Sequence, residues 1–188
     1  MTIGNQLVFD KDSIFLEDKP NHFVMMEWER ELMKETAKVV CSKGGHILEI
    51  GFGMGILSTF IQEQPNVRKH TIVEAHPEVY KRALEWSKKY PNVEILFGDW
   101  IEIADKIIEN KYDGIHYDAD CINFYYFNTI IVEKCIEKGG IFSYFEPKGR
   151  DVYNYNERLR KRLVEITCDI PKNIYHNSKH CFVTWVEF

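Results

Sequence analysis

Along the chain, short apolar runs alternate with segments whose apolar residues recur every three or four positions. The runs at His46–Ile50, Lys69–Val73, Val93–Phe97, Gly114–Tyr117 and Gly140–Phe145 predict strands. The segments near 55–64, 77–89, 100–110 and 123–137 predict helices between them, and a further helix over about 23–41 precedes the first strand. Such alternation predicts an α/β protein with a mainly parallel sheet. The rhythm changes after Pro147. A polar helix over about 154–165 leads into Ile166–Ile170, a turn around Pro171–Asn173, and a last segment, Lys179–Phe188. There Phe182, Thr184, Val186 and Phe188 alternate with Val183 and Trp185, as in a sheet strand. Two closing strands joined by a tight connection would give the sheet an antiparallel edge.

Length and composition narrow the class. A chain of 188 residues with 45% hydrophobic positions is enough for one domain with a packed core. The net charge of -5 argues against binding a phosphate backbone as the main role, although Arg158–Arg162 is a local basic patch. Cys41, Cys121, Cys135, Cys168 and Cys181 are scattered, which speaks against a structural zinc site or a disulfide framework and for a reduced, cytoplasmic protein. No apolar run is long enough for a membrane span, and the first residues lack the order of a signal peptide. The histidines lack metal-ligand spacing; His76 and His116, nearest the site described next, are expected to be structural or exposed. No metal is expected.

The strongest local signal is HILEIGFGMGIL, in which a β-rich run ends in Gly51-Phe52-Gly53-Met54-Gly55 and leads into an amphipathic helix. Glycines there let the main chain approach a ligand closely, and open α/β sheets bind ligands at the carboxyl ends of their strands. Glu49 sits just before this loop. Glu74, with Ala75 after it, ends the next strand, where a carboxylate can accept both hydroxyl protons of a ribose. These features alone also fit a dinucleotide. Gly98-Asp99-Trp100, after the third strand, is the candidate adenine contact.

Two acidic positions bear on a second ligand. In VMMEWERELM, Met25, Glu29 and Met33 fall at i, i+4 and i+8 of the expected helix. Glu29 there is either an exposed boundary residue or a pocket carboxylate. In YDGIHYDADC, Asp118 ends the fourth strand, as either a helix cap or a catalytic group.

The ordered blocks VMMEWERELM, KGGHILEIGFGMGI, TIVEAHPEVY, GDW and DGIHYDA resemble the guanidinoacetate N-methyltransferase family. IGFGMGI and EAHPEV also resemble the fungal-type arginine δ-N-methyltransferases. The resemblance implies a class I methyltransferase: a Rossmann-like, mainly parallel seven-stranded sheet with a C-terminal antiparallel strand pair. It implies a lid and helix over residues 1–41, a core over 42–188, and S-adenosyl-L-methionine as methyl donor. Glu49, Gly51, Phe52, Gly53, Met54, Gly55, Glu74, Ala75, Asp99, Trp100 and Asp118 would hold that donor. Glu29 and Asp118 would grip a guanidino group between Met25 and Met33, with Asp118 as general base.

Two places depart from the family. After the fifth strand the family has approximately NLTSW, which holds the substrate carboxylate. Here the chain reads Phe145-Glu146-Pro147-Lys148, so Glu146 takes that place and Lys148 or Arg150 would have to meet a carboxylate. The family's lid tryptophan has no counterpart before Trp28, leaving Phe15 or Phe23 to cover the donor. The expected acceptor is a guanidino group of a small molecule. An arginine side chain in a peptide or natural-product precursor, or another amine, is the alternative; a donor-binding regulatory subunit is the non-enzymatic one.

Overall fold

The computed structural model describes residues 4–119, 123–146, 161–170 and 179–188, with only the backbone of Lys161. Its core is a seven-stranded sheet built from β4 (Gly45–Ile50), β5 (Val67–Glu74), β6 (Val93–Phe97), β7 (Tyr112–Tyr117), β8 (Ile136–Phe145), β9 (Lys161–Thr167) and β10 (His180–Glu187). The strand order is β6-β5-β4-β7-β8-β10-β9. β4 to β8 run parallel, and β10 lies antiparallel to both β8 and β9. The five expected parallel strands and the antiparallel edge are therefore present. The expected turn at Pro171–Asn173 lies outside the described residues.

Alternation along the strands feeds two apolar layers. Leu48, Ile50, Ile115, Tyr117, Phe142 and Tyr144 pack on one face with Phe124 and Phe127. On the other, Ile47, Cys181 and Val183 meet α1 (Arg30–Val40) and α2 (Ile56–Gln62). α1 buries Leu32, Met33, Thr36, Ala37 and Val40, one helical stripe. On the first face α4 (Ala104–Ile108) adds Ile107. α3 (Pro77–Ser87) begins with His76 as its cap, whose Nδ1 accepts from the Glu78 N–H at 3.3 Å, and with proline in its first turn.

A small antiparallel sheet precedes the core: β1 (Leu7–Phe9), β2 (Ser13–Leu16) and β3 (Lys19–Met26). The helix expected over 23–41 is thus shorter. Residues up to Met26 pair with β2, Ile14 opposite Met25 and Phe15 opposite Phe23, and one 3-10 turn at Glu27–Glu29 leads into α1. Apolar residues at 23–26 satisfy either period; pairing across the small sheet decides for the strand. Three contacts seat this sheet on the core. Leu7, Ile14 and Leu16 pack with Phe52 and Val79, the Arg82 guanidinium lies 3.7 Å from the Phe9 ring centroid, and His76 Nε2 stands 2.9 Å from the Asn5 carbonyl.

Other boundaries differ too. The helix expected near 100–110 is reduced to α4, because Asp99 organises a turn ahead of it, its Oδ1 accepting from the Ile101 N–H at 2.9 Å. The segment 123–137 divides into α5 (Phe124–Phe127), a π-helical stretch (Asn128–Val132) and α6 (Glu133–Cys135), and β8 begins at Ile136. Most of the polar helix expected over 154–165 lies outside the described residues, but its end does not form: Lys161–Thr167 is a strand, held by β10 with Leu163 opposite Thr184.

Gly114 shows how tightly α1 sits on β7: a Cβ there would lie 2.2 Å from the Val40 carbonyl oxygen. Gly114→Ala should therefore destabilise the fold by roughly 1–3 kcal/mol in chemical denaturation, as overpacking does.

Candidate active site

The strand order reverses between β4 and β7, and the crevice at their carboxyl ends is where open α/β sheets bind ligands. Gly51 makes that crevice possible. It has φ 92°, and a Cβ there would lie 2.6 Å from the Asp118 carbonyl oxygen. The Asp118 N–H donates to the Ile50 carbonyl at 3.1 Å, drawing the two strand ends together.

The adjoining loop is anchored by an acid. The Phe52 N–H donates to Glu74 Oε2 at 2.9 Å, and the His76 N–H to Oε1 at 2.7 Å. Burial raises the Glu74 pKa, against the opposing pull of these donors. From the small sheet, Met25 Sδ accepts from the Met54 N–H at 3.2 Å, so β3 rests directly on the loop.

Over these elements lies a cavity of about 390 Å³. Five acidic residues line it: Glu29, Glu49, Glu74, Asp99 and Asp118. Glu29 is buried, and its Oε1 accepts from the Met26 N–H at 2.8 Å across the strand-to-helix turn. Glu49 Oε2 accepts from Ser58 Oγ at 2.8 Å and faces His70 Nε2 at 2.9 Å. Burial, then Glu49 and Glu74, push the Asp118 carboxyl up to about 7. An acid so placed can take up a proton near neutral pH.

Most of the residues expected around the site do line this cavity. Glu49, Gly51, Phe52, Gly53, Glu74 and Ala75 form its donor-loop side. Asp99, Trp100, Asp118, Met25 and Glu29 also line it. Met54 and Gly55 do not: the first turns its N–H to Met25, and the second starts α2 with φ 74°. Met33 is packed in the core beneath α1, and Glu146 lies just past β8, half-buried and outside the lining. Met25 and Glu29 thus meet through a strand and a turn and not through one helical stripe. Phe23 lines the cavity with Phe15 packed edge-on behind it at 6.0 Å, so an aromatic ring of the small sheet borders it. Asn21, His22, Asn123 and Phe145 also line it and were not anticipated; only the alternation along Lys19–Met26 could have pointed to the first two. His116 is buried with Nδ1 2.7 Å from Ser143 Oγ, its pKa lowered to about 3 by burial; it and the cap His76 are structural.

Comparison with known proteins decides the family. The model of the guanidinoacetate N-methyltransferase family matches residues 9–158. The chain belongs to this family. Its methyl donor is S-adenosyl-L-methionine. The chain is similar to protein arginine N-methyltransferase 2 of Candida glabrata, 37% identical over 164 residues, covering 79% of the chain and 38% of that protein. It is similar to the protein of the same name from Saccharomyces cerevisiae, 33% identical over 171 residues, covering 80% and 40%. The chain thus spans about two fifths of the length of these relatives. Among solved structures, the O-methyltransferase from Bacillus cereus in complex with SAH superposes with TM-score 0.62 at 15% identity, over 84% of this chain and 81% of that one. The N-methyltransferase NodS from Bradyrhizobium japonicum does so with TM-score 0.58 at 18%, over 85% and 96%. Both show the class I methyltransferase fold. Among the described residues, no helix is long and apolar enough to cross a membrane.

The cavity suits the family's donor. Glu74 presents a carboxylate that can accept from hydroxyl groups, the Gly51 backbone passes close to Asp118, and the acidic lining favours a cation such as a sulfonium. Asp118 also carries a stability consequence. Because its folded pKa is raised, the folded chain holds this proton more tightly than the unfolded one, and that advantage is lost as pH rises from about 4 to about 7. Asp118→Asn should therefore stabilise the free protein by roughly 1–3 kcal/mol at pH 8, with the gain vanishing toward pH 4 in denaturant titrations.

Proposed function

We propose that this protein transfers a methyl group from S-adenosylmethionine to a guanidino nitrogen, and that the guanidino group belongs to an arginine side chain. The observation that carries this reading is the lining of the cavity: Glu29, Glu49, Glu74 and Asp118 converge on it, and no lysine or arginine is among its described residues. A guanidinium is planar with five N–H donors, and two carboxylates can hold it through charge-assisted bonds. A substrate carboxylate, as in guanidinoacetate, would meet repulsion here, and Glu146 adds an acid nearby in sequence. Lys148 and Arg150 lie outside the described residues. The name of the fungal relatives, protein arginine N-methyltransferase 2, agrees with an arginine acceptor.

In this reading Asp118 and Glu29 divide the work. A guanidinium is a poor nucleophile until it loses a proton, its pKa being above about 12. Bound in the cleft, S-adenosylmethionine supplies an electrophilic methyl group on sulfur. Asp118 accepts the proton as the nitrogen lone pair forms the N–C bond and the S–C bond breaks, leaving S-adenosylhomocysteine. Glu29, held by the Met26 N–H, orients the group and balances its remaining charge.

With labelled donor, arginine-containing peptides and agmatine should be methylated in preference to guanidinoacetate; methylation of simple amines alone would overturn the guanidino assignment. Asp118→Asn should lower turnover about 100-fold or more while S-adenosylhomocysteine affinity changes only a few-fold; unchanged turnover would remove Asp118 as base.

A further inference from the structure

Beneath the donor side of the cavity, side chains from three elements join into one chain of polar contacts. Gln62, at the end of α2, approaches His70 on β5, its Nε2 3.2 Å from His70 Nδ1. The amide N–H donates there, so Nδ1 is an acceptor and the imidazole proton sits on Nε2. Nε2 faces Glu49 Oε2 at 2.9 Å, and Ser58 Oγ donates to the same oxygen at 2.8 Å. Glu49, Ser58 and His70 are at most 1% exposed. Ser58 Oγ thus donates to Oε2, His70 Nε2 stands against the same oxygen within ion-pair range but without an aligned hydrogen bond to any group among the described residues, and Glu49 also lines the cavity.

We propose that His70 is a positioning residue for the donor: with its tautomer set by Gln62, it holds the Glu49 carboxylate in the rotamer that presents Oε1 to the ammonium end of the bound S-adenosyl amino acid. The inference rests on the donor-cleft reading above. A buried carboxylate needs donors for each oxygen it does not give to a ligand. Without His70, Oε2 keeps Ser58 alone, and the side chain is free to turn Oε1 out of the cavity. Glu74, by contrast, is held by backbone N–H groups and does not depend on the chain.

That difference makes the test selective. S-adenosylhomocysteine carries both the ribose and the amino-acid end; adenosine carries the ribose alone. By calorimetry, His70→Leu should weaken S-adenosylhomocysteine about tenfold, the loss of one close polar contact to a charged group, and leave adenosine unchanged. His70→Gln, which keeps an N–H donor, should recover most of that loss. Equal losses for the two ligands, or none, would overturn the proposal. Nitrogen-15 NMR of the imidazole in the wild-type protein tests it without a core substitution: a proton on Nε2 is required, and one on Nδ1 would overturn it. Wild-type protein that binds neither ligand would overturn the donor-cleft reading itself, an outcome distinct from wild-type binding with no effect at His70.

Discussion

Glu29, Glu49, Glu74 and Asp118 share one cavity with Asp99, and like charges so grouped remain only if each has its own compensation. Here the compensation is local and different for each. Glu74 takes two backbone N–H groups, Glu49 takes a hydroxyl and lies against an imidazole, and Glu29 takes the N–H that begins its own turn. Asp118 carries the largest cost: burial first, then the charges of Glu49 and Glu74, raise its carboxyl to about 7. A cation entering the cavity relieves all four at once. The site is therefore selective for positive charge before any contact with a particular substrate is counted.

The arrangement depends on the sheet more than on any loop. β4, β5 and β7 deliver Glu49, Glu74 and Asp118 to one edge because parallel strands end together. The close approach of the Gly51 and Asp118 backbones then keeps the floor of the crevice low. Glu29 and Met25 arrive from outside the core sheet, on the last residues of β3 and the turn behind it. The packing of Leu7, Ile14 and Leu16 against Phe52 and the contact of Arg82 with Phe9 hold that small sheet in place. The core strand ends and the small sheet thus line the cavity from separate elements that meet at Met25, whose sulfur touches the loop between Gly51 and Gly55.

Much of this was legible in the amino-acid order, for physical reasons. Strand ends announce themselves by the change from apolar alternation to glycine or acid, which marked Gly51, Glu74 and Asp118. Met25 and Glu29 were singled out by a helical spacing that does not exist, and only the family resemblance put them in a pocket; a strand followed by a tight turn brings the same residues to the cavity, and the coincidence of spacing concealed the β3 hairpin. Met33, which that spacing also selected, is core. His70, Ser58 and Gln62 gave no signal, because a polar residue inside an apolar run reads as an interior position until its three-dimensional partner is known.

The most direct measurement is calorimetric binding of an arginine residue blocked at both ends to the protein saturated with S-adenosylhomocysteine, followed from pH 5 to pH 9. The guanidinium stays charged throughout, so any dependence reports the site. Binding should tighten with rising pH, by up to about tenfold per unit, and level off above about 7 as Asp118 becomes ionised. Affinity that is flat across this range, or equal affinity for guanidinoacetate, would contradict a carboxylate pocket built for an arginine side chain.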